Sequence, residues 1–240
     1  MTNIEPLRPN SQRAKIAIML IWIVLAIEII SILSDYLQYD LLQTVANGEP
    51  ISTETATSND LRQKIIAITY LVAYVISGFT FIQWFRRAYY NLHLKAETLS
   101  FTEGWAAGCW FVPIISLYRP QQIMKELYEE TLSLFRKKDP DTAVQLPTGY
   151  IGWWWTLWLI ASFLGQFVFR YSLKAESLEA ITTATIASIV ASIIGIPLAI
   201  CSVKIIKDYA AIELLLGNLH DTQEKETALL STDLQVVADE

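Results

Sequence analysis

The sequence predicts an all-α, polytopic membrane protein with four transmembrane helices, a short re-entrant or interfacial segment and a cytoplasmic amphipathic helix. Apolar residues make up 53% of its 240 positions and charged residues only 18%, whereas about a quarter of the residues in a soluble domain are charged. The mean hydropathy is +0.35. In addition, four apolar stretches are close to the roughly 20 residues that cross a ~30 Å hydrocarbon core.

The same composition excludes several functional classes. The net charge of −6 argues against nucleic-acid binding, because there is no net basic field to neutralise phosphates. Cys109 and Cys201 fit neither a disulfide framework nor a metal site, and His93 and His220 lie far apart. No phosphate-binding glycine loop, zinc-binding helix motif or nucleophile elbow is present. We therefore expect no cofactor, no metal, no nucleic-acid partner and no enzymatic activity.

The four spans lie within a predicted membrane domain of residues 15–217, after a cytoplasmic N-terminus of residues 1–14. The first span is too long for the apolar core of a signal peptide, so we expect it to be retained. The connection from Ser34 to Lys64 is acidic and is predicted to be solvated, with at most one short helical turn. Gly217-Asn218 is predicted to end the last helix, and residues 218–240 to form an acidic, disordered cytoplasmic tail. The spans are predicted at about 15–34, 65–85, 150–169 and 181–203.

A shorter apolar stretch, residues 104–118, decides the topology. It contains Pro113, and as a helix it would be roughly 22 Å long, less than the hydrocarbon thickness. If it re-enters the membrane and the N-terminus is cytoplasmic, 14 of the 18 Lys and Arg residues are cytoplasmic. If it spans, the count falls to 8. The positive-inside bias favours re-entry with both termini inside, and nine aromatic residues would then lie near the cytoplasmic interface: Trp84, Tyr89, Tyr90, Trp105, Trp110, Tyr118, Trp153, Trp154 and Trp155.

Residues 119–138 are predicted to form an amphipathic helix along the membrane surface, ended by Asp139-Pro-Asp. Its apolar residues recur at helical spacing, opposite Lys125, Glu129, Arg136 and Lys137. These apolar residues are Met124, Leu127, Tyr128, Leu132 and Phe135.

Glu28 is an ionisable residue inside the first span, and such a residue is by default a functional candidate. We predict that it pairs with Arg170, with Gln166 and Tyr70 as alternative partners that would only orient the helices. In the last span, small residues recur every four positions up to Gly195. This spacing favours close helix packing within the chain, rather than a dimer interface.

The most distinctive residues lie in three segments: Phe81-Ile-Gln-Trp-Phe-Arg-Arg-Ala-Tyr-Tyr-Asn-Leu92, then a stretch with Gly104-Trp105, Trp110-Phe-Val-Pro113 and Arg119-Pro120, and then Glu126-Leu127. This pattern resembles the bacterial membrane-protein family called domain of unknown function 4328, and the four-helix framework extends the resemblance to most of the chain. The second basic residue of the first segment, Arg87, departs from it. The resemblance implies a bacterial inner (plasma) membrane protein and supplies no activity to transfer.

The resemblance and the topology place five polar residues at one membrane face: Arg86, Arg87, Asn91, Arg119 and Glu126. Guanidinium groups suit phosphate and carboxylate, and we expect Glu126 to hold one arginine in place. These residues indicate a site for an anionic lipid head group or an acidic partner segment. The function expected is a non-enzymatic module that binds lipid or a partner protein. The alternative is a small transporter or channel subunit that acts as a homo-oligomer.

Overall fold

The computed structural model describes residues 6–96, 98–138 and 144–238, with side chains through Leu216. Six α-helices and one 3-10 turn (Ile115–Leu117) form the described chain, which contains no strand. The helices are α1 (Ser11–Ala46), α2 (Thr53–His93), α3 (Glu103–Gly108), α4 (Arg119–Lys138), α5 (Gly149–Ser172) and α6 (Leu178–Ala238). The all-α prediction is confirmed.

Four of these helices, α1, α2, α5 and α6, are long and apolar enough to cross a membrane. Many large apolar side chains on these helices are exposed: Leu33 is 63% exposed, Phe79 60% and Phe163 59%. A soluble protein rarely exposes contiguous apolar surface of this extent, whereas lipid chains solvate it at no cost. Each predicted span lies within one of the four helices, and the prediction of an integral membrane protein is confirmed at this level.

The prediction of a long solvated connection between the first two spans is wrong. Helix α1 continues to Ala46 and α2 begins at Thr53, so the connection is a tight turn in which Gly48 has a φ of +83°. The polar residues expected in a loop instead bond between the helices: Arg62 donates from Nε to Ser34 Oγ at 3.0 Å, and Asn59 Nδ2 donates to Gln38 Oε1 at 3.2 Å. Their polarity is satisfied inside a helical hairpin.

Residues 104–118 do not form one helix. Helix α3 occupies only the first part, and the 3-10 turn follows Ile114, whose φ of +68° is rare for a β-branched residue. Pro113 has no N–H to continue a helical ladder, which is consistent with the break. The stretch is therefore not one of the four helices that are long enough to span.

Helix α4 begins and ends where the sequence predicts the surface helix, and it buries Met124, Leu127, Tyr128 and Phe135; Leu132 is half-buried. The predicted stop at Asp139-Pro140-Asp141 lies outside the described residues. The predicted helix end at Gly217-Asn218 is wrong, because α6 continues through it to Ala238. Gly and Asn end a helix where the chain turns away, and here the backbone is helical through both residues. The disorder expected of residues 218–240 stays a prediction.

The chain divides into two compact units, of which unit 2 comprises Lys15–Phe81 and Gly149–Ile205. It contains the most apolar parts of the four long helices. Trp154 is 2% exposed, donates from Nε1 to Ser202 Oγ at 2.9 Å, and lies 5.9 Å from the ring of Phe81. A buried indole thus has its N–H satisfied, as buried Trp requires.

Unit 1 comprises Met1–Ala14, Ile82–Thr148 and Ile206–Glu240. Its core is aromatic: Tyr209 packs edge-on against Trp84 at 6.2 Å and lies 5.7 Å from Tyr128 of α4. The hydroxyl groups of Tyr209 and Thr131 share a hydrogen bond of 3.3 Å. The apolar face of α4 is therefore covered by the ends of α2 and α6 within this unit.

Candidate functional site

Four arginines line one cavity of about 290 Å³ in unit 1. Arg8 and Arg13 come from the N-terminal segment and the start of α1, and Arg86 and Arg87 from the last turns of α2. The remaining lining residues are Gln83, Tyr90 and Glu103. Four guanidinium groups against one carboxylate give the cavity a net positive charge.

Local contacts hold the guanidinium groups around the cavity. Arg13 donates from Nη1 to the carbonyl oxygen of Gln83 at 3.2 Å. Arg86 pairs with Glu103 at 3.2 Å, although both side chains are substantially exposed, so this pair contributes little stability. The Tyr90 ring is shared: the guanidinium carbon of Arg8 lies 4.2 Å from its centroid and that of Arg87 6.0 Å. Cation–π contacts of this kind orient arginines without neutralising them.

A buried polar cluster supports the cavity. Asn91 is 1% exposed and clamps the backbone of Arg8, accepting from its N–H at 3.0 Å and donating to its carbonyl oxygen at 2.9 Å. The same amide donates to Glu213 Oε1 at 2.6 Å, and Asn10 Nδ2 donates to Glu213 Oε2 at 2.9 Å. Helices α2 and α6 thereby fix the N-terminal segment that supplies Arg8.

Chemically, the cavity suits a small anion. Its volume lies near the lower limit of the roughly 300–1,000 Å³ of ligand pockets, and guanidinium groups match phosphate oxygens through paired hydrogen bonds. Among the described residues, no group of three or more His, Cys, Asp or Glu can hold a metal ion. The arrangement offers charge and hydrogen-bond donors for binding.

A family model for a domain of unknown function, DUF4328, matches residues 47–211. The chain belongs to the DUF4328 family. No curated protein and no solved structure matches it. The matched residues include Arg86 and Arg87, whereas Arg8 and Arg13 of this DUF4328 chain lie before the match.

Three of the five residues predicted for the site are found at or beside the cavity of this DUF4328 protein. Arg86 and Arg87 line it, and Asn91 lies beneath it as a positioning residue. Arg119 does not line it, because its guanidinium carbon lies 4.6 Å from the centroid of Phe101 and 5.4 Å from that of Tyr118.

The role predicted for Glu126, holding an arginine, is wrong. Its carboxylate accepts from the Tyr89 hydroxyl at 2.5 Å and from the backbone N–H of Ser100 at 2.6 Å. Glu126 thus ties α4 to the end of α2 and to the following loop. Arg119, for its part, turns toward Phe101.

The predicted pairing of Glu28 with Arg170 is also wrong. Tyr70, one of the alternative partners, donates its hydroxyl to Glu28 Oε1 at 3.2 Å. Arg170 is exposed and lines a separate groove with Gln166 and Lys174. Because α1 extends to Ala46, Glu28 lies in the middle of this helix rather than near its end, and Arg170 lies in the last turn of α5.

Of the nine aromatic residues predicted for the interface, several are core residues instead. Trp84 and Tyr89 are fully buried, and Trp154 and Trp155 are at most 4% exposed. Trp153 is 72% exposed, and its place in an aromatic belt stays a prediction.

Sequence reasoning misses Arg8 and Arg13 as cavity residues, and Asn10 and Glu213 as their support. In the sequence, Arg8 and Arg13 stand out only as charges that bear on topology. The contact between Glu213 and Asn10 spans 203 positions, and no local pattern signals such a contact.

Proposed function

We propose that the protein is a non-enzymatic module of the bacterial inner membrane that binds the head group of an anionic phospholipid in the four-arginine cavity. The observation that carries the proposal is the convergence of Arg8, Arg13, Arg86 and Arg87 on a cavity of about 290 Å³. One phosphodiester neutralises part of this charge and accepts hydrogen bonds from the guanidinium groups.

The proposed topology supports a cytoplasmic position for this cavity. The positive-inside bias assigns both termini to the cytoplasm, and Arg8, Arg86 and Arg87 then lie at the leaflet that carries anionic lipids. In this arrangement residues 104–118 are a re-entrant segment. Their exposed apolar side chains, such as Phe111 and Ile114 at 74% each, suit insertion into lipid.

The experiment compares lipid binding by the purified full chain and its variants in nanodiscs of phosphatidylcholine with and without phosphatidylglycerol. Each basic residue near anionic lipid contributes about 1 kcal/mol, so the Arg13→Gln/Arg87→Gln variant should bind phosphatidylglycerol about 30-fold more weakly. Arg119→Gln is the matched control, because it removes an arginine of unit 1 that lies outside the cavity, and it should bind as the wild type does.

Native mass spectrometry of the protein, extracted with its bound lipid, provides the second measurement. The wild type and Arg119→Gln should retain an anionic phospholipid that the double variant loses. Equal retention by the double variant and the wild type would refute the proposal. Loss of a co-purifying acidic protein rather than of a lipid would assign the cavity to a protein partner instead.

A further inference from the structure

A row of polar side chains follows the face of α1 that packs against α6 in unit 2. Glu28 lies against Gly195, where a Cβ atom would overlap its carboxyl group. Two turns further along α1, Asp35 lies beside Ser188. Gln38 Nε2 then donates to Thr185 Oγ1 at 2.7 Å. Residue numbers rise along α1 as they fall along α6 in these three contacts, so the two helices are antiparallel and the contacts form one continuous line. We call this line the polar seam: Glu28, Asp35 and Gln38 with Gly195, Ser188 and Thr185.

Helix α2 continues the polar seam toward the α1–α2 turn. Asn59 donates to Gln38, and Arg62 donates from Nη2 to Asn59 Oδ1 at 2.6 Å and from Nε to Ser34 Oγ at 3.0 Å. Gln63 donates to the Ser34 carbonyl oxygen at 3.2 Å. Hydrogen-bonding groups therefore lead from the middle of α1 to the end of the helical hairpin.

In the opposite direction from Glu28, the buried face of α1 is apolar. Leu25, Val24 and Ile21 are each 8% exposed and Ala17 is fully buried. On α1 itself, the buried polar residues of unit 2 therefore lie on the side of Glu28 that leads to the α1–α2 turn, and the polar seam ends at Glu28.

Both acidic residues of the polar seam are more than nine-tenths buried, and each has a carboxyl oxygen without a hydrogen-bond partner. Glu28 is 6% exposed and its Oε2 is unbonded; Asp35 is 5% exposed and its Oδ2 is unbonded. The titratable groups that face Glu28 are Tyr70 and Tyr74 of α2, and Gly195 of α6 lies against its carboxyl group. An ionised carboxylate without a neighbouring cation is strongly unfavourable inside a membrane.

We propose that Glu28 is a proton-binding site inside the membrane, reached through the polar seam from the side of the α1–α2 turn. Its carboxylate takes one proton from a hydronium ion, leaving a water molecule, and becomes a neutral carboxylic acid; releasing the proton to water re-forms hydronium and restores the charge. A metal cation fits less well, because Na⁺ and Ca²⁺ take several oxygen ligands and Tyr70 uses its hydroxyl hydrogen to donate to Glu28. This site is independent of the four-arginine cavity, which belongs to unit 1.

The first test uses a hydrophobic carbodiimide, which adds to a protonated carboxyl group in an apolar environment. The full chain is reconstituted in phosphatidylcholine vesicles, labelled at a series of pH values, and mapped by mass spectrometry. Label should appear on Glu28 and decrease as the pH rises. It should be absent from Glu28→Gln and unchanged at Glu28 in Asp40→Asn, the matched control, since Asp40 is an exposed acid on the same helix.

Infrared spectroscopy keeps the test decisive if the reagent does not reach the site. A carboxylic-acid carbonyl band should be present in the wild type, shift in D₂O and be missing from Glu28→Gln. If the wild type and Glu28→Gln show the same carboxylic-acid carbonyl bands at every pH, the proposal is overturned. Protection of Glu28 from the carbodiimide by Na⁺ at constant ionic strength would assign the site to a metal cation and overturn the assignment to a proton.

The second test measures sidedness in a background in which Cys109 and Cys201 are replaced by Ser. Ser188→Cys, in the polar seam, should react with a membrane-impermeant thiol reagent from the side of the α1–α2 turn. Val24→Cys, on the apolar side of Glu28, should react from neither side. Reaction of either Val24→Cys or Ser188→Cys from the side of the membrane opposite the α1–α2 turn would overturn the proposed route to Glu28. Phosphatidylglycerol binding is expected to be unaffected in Glu28→Gln, so failure here is distinguishable from failure of the lipid site.

Discussion

Replacing Asn91 with Ala removes the residue on which the support of the four-arginine cavity depends. The Asn91 side chain makes one hydrogen bond to Glu213 and two to the backbone of Arg8, and it is 1% exposed. A typical hydrogen bond contributes about 1 kcal/mol, and a buried polar group left without a partner costs about 1–3 kcal/mol. We therefore expect Asn91→Ala to lower the free energy of unfolding by about 3–5 kcal/mol.

The assay is denaturant unfolding of the full chain in mild detergent, followed by Trp fluorescence. A double-mutant cycle with Glu213→Ala isolates the contact between the two side chains, because the carboxyl and the amide are in direct contact at 2.6 Å. We expect a coupling free energy of about 1–2 kcal/mol. Asn47→Ala, in the exposed α1–α2 turn, is the matched control and should change stability by less than about 0.5 kcal/mol.

Lipid binding provides a second measurement of the same change. If Asn91 positions Arg8, then Asn91→Ala should weaken phosphatidylglycerol binding about fivefold even where the protein is fully folded, since one basic contact of about 1 kcal/mol is lost. A loss of stability below about 1 kcal/mol, or effects of Asn91→Ala and Glu213→Ala that add without coupling, would refute the reasoning.

Three further predictions concern other contacts. Gly195→Ala should destabilise the protein by about 1–3 kcal/mol, because the added Cβ overlaps the Glu28 carboxyl group. Gly165→Ala is the control, since its added Cβ has no atom within 4 Å. Equal unfolding curves for the two variants would contradict the close packing at Gly195. Tyr89→Phe removes the hydroxyl that donates to Glu126 and should increase hydrogen exchange at the Ser100 N–H, from which Glu126 accepts a hydrogen bond. Tyr36→Phe, at an exposed position, is the control and should not change this exchange. Unchanged exchange in Tyr89→Phe would show that Glu126 anchors the loop without Tyr89. Burial raises the pKa of the Cys109 thiol to about 11, so its thiolate fraction at pH 8 is far below that of an ordinary thiol, and maleimide should label it only slowly until the protein is unfolded; rapid labelling of the folded chain, measured by mass spectrometry, would contradict its burial.

Apolar length and helical periodicity are sufficient to predict the four long helices and the bounds of α4. They fail for the stretch from Ser34 to Lys64, because the polar residues there are also typical of a solvated loop. In the structure Arg62 of α2 bonds to Ser34 of α1 and to Asn59 of its own helix. Polarity alone does not separate a loop from a helix pair whose polar faces meet.

Only the part of the candidate site that has a local sequence signal is predictable. Adjacent arginines at the end of an apolar run identify Arg86 and Arg87, since charge at that position is a local signal. Arg8 joins them because Asn91, 83 positions away in the sequence, hydrogen-bonds to its backbone. No local pattern in a single sequence indicates such a contact. For Glu28 the sequence indicates an intramembrane partner, but electrostatic preference favours Arg170 over Tyr70, which the helix packing brings within hydrogen-bonding distance.

The tight turn at Gly48 has a consequence for how the chain enters a membrane. Alone, α1 would bring the uncompensated Glu28 into lipid at a cost of a few kcal/mol, and Asp35 and Arg62 would stand unpaired at the ends of the two predicted spans. With only residues 47–52 between the two helices, they can be inserted together as a hairpin, with Arg62 already bonded to Ser34 beside Asp35. Biogenesis of this protein then depends on the pair as one cooperative unit, and lengthening the turn by a flexible insertion would impair its integration before it altered the mature fold.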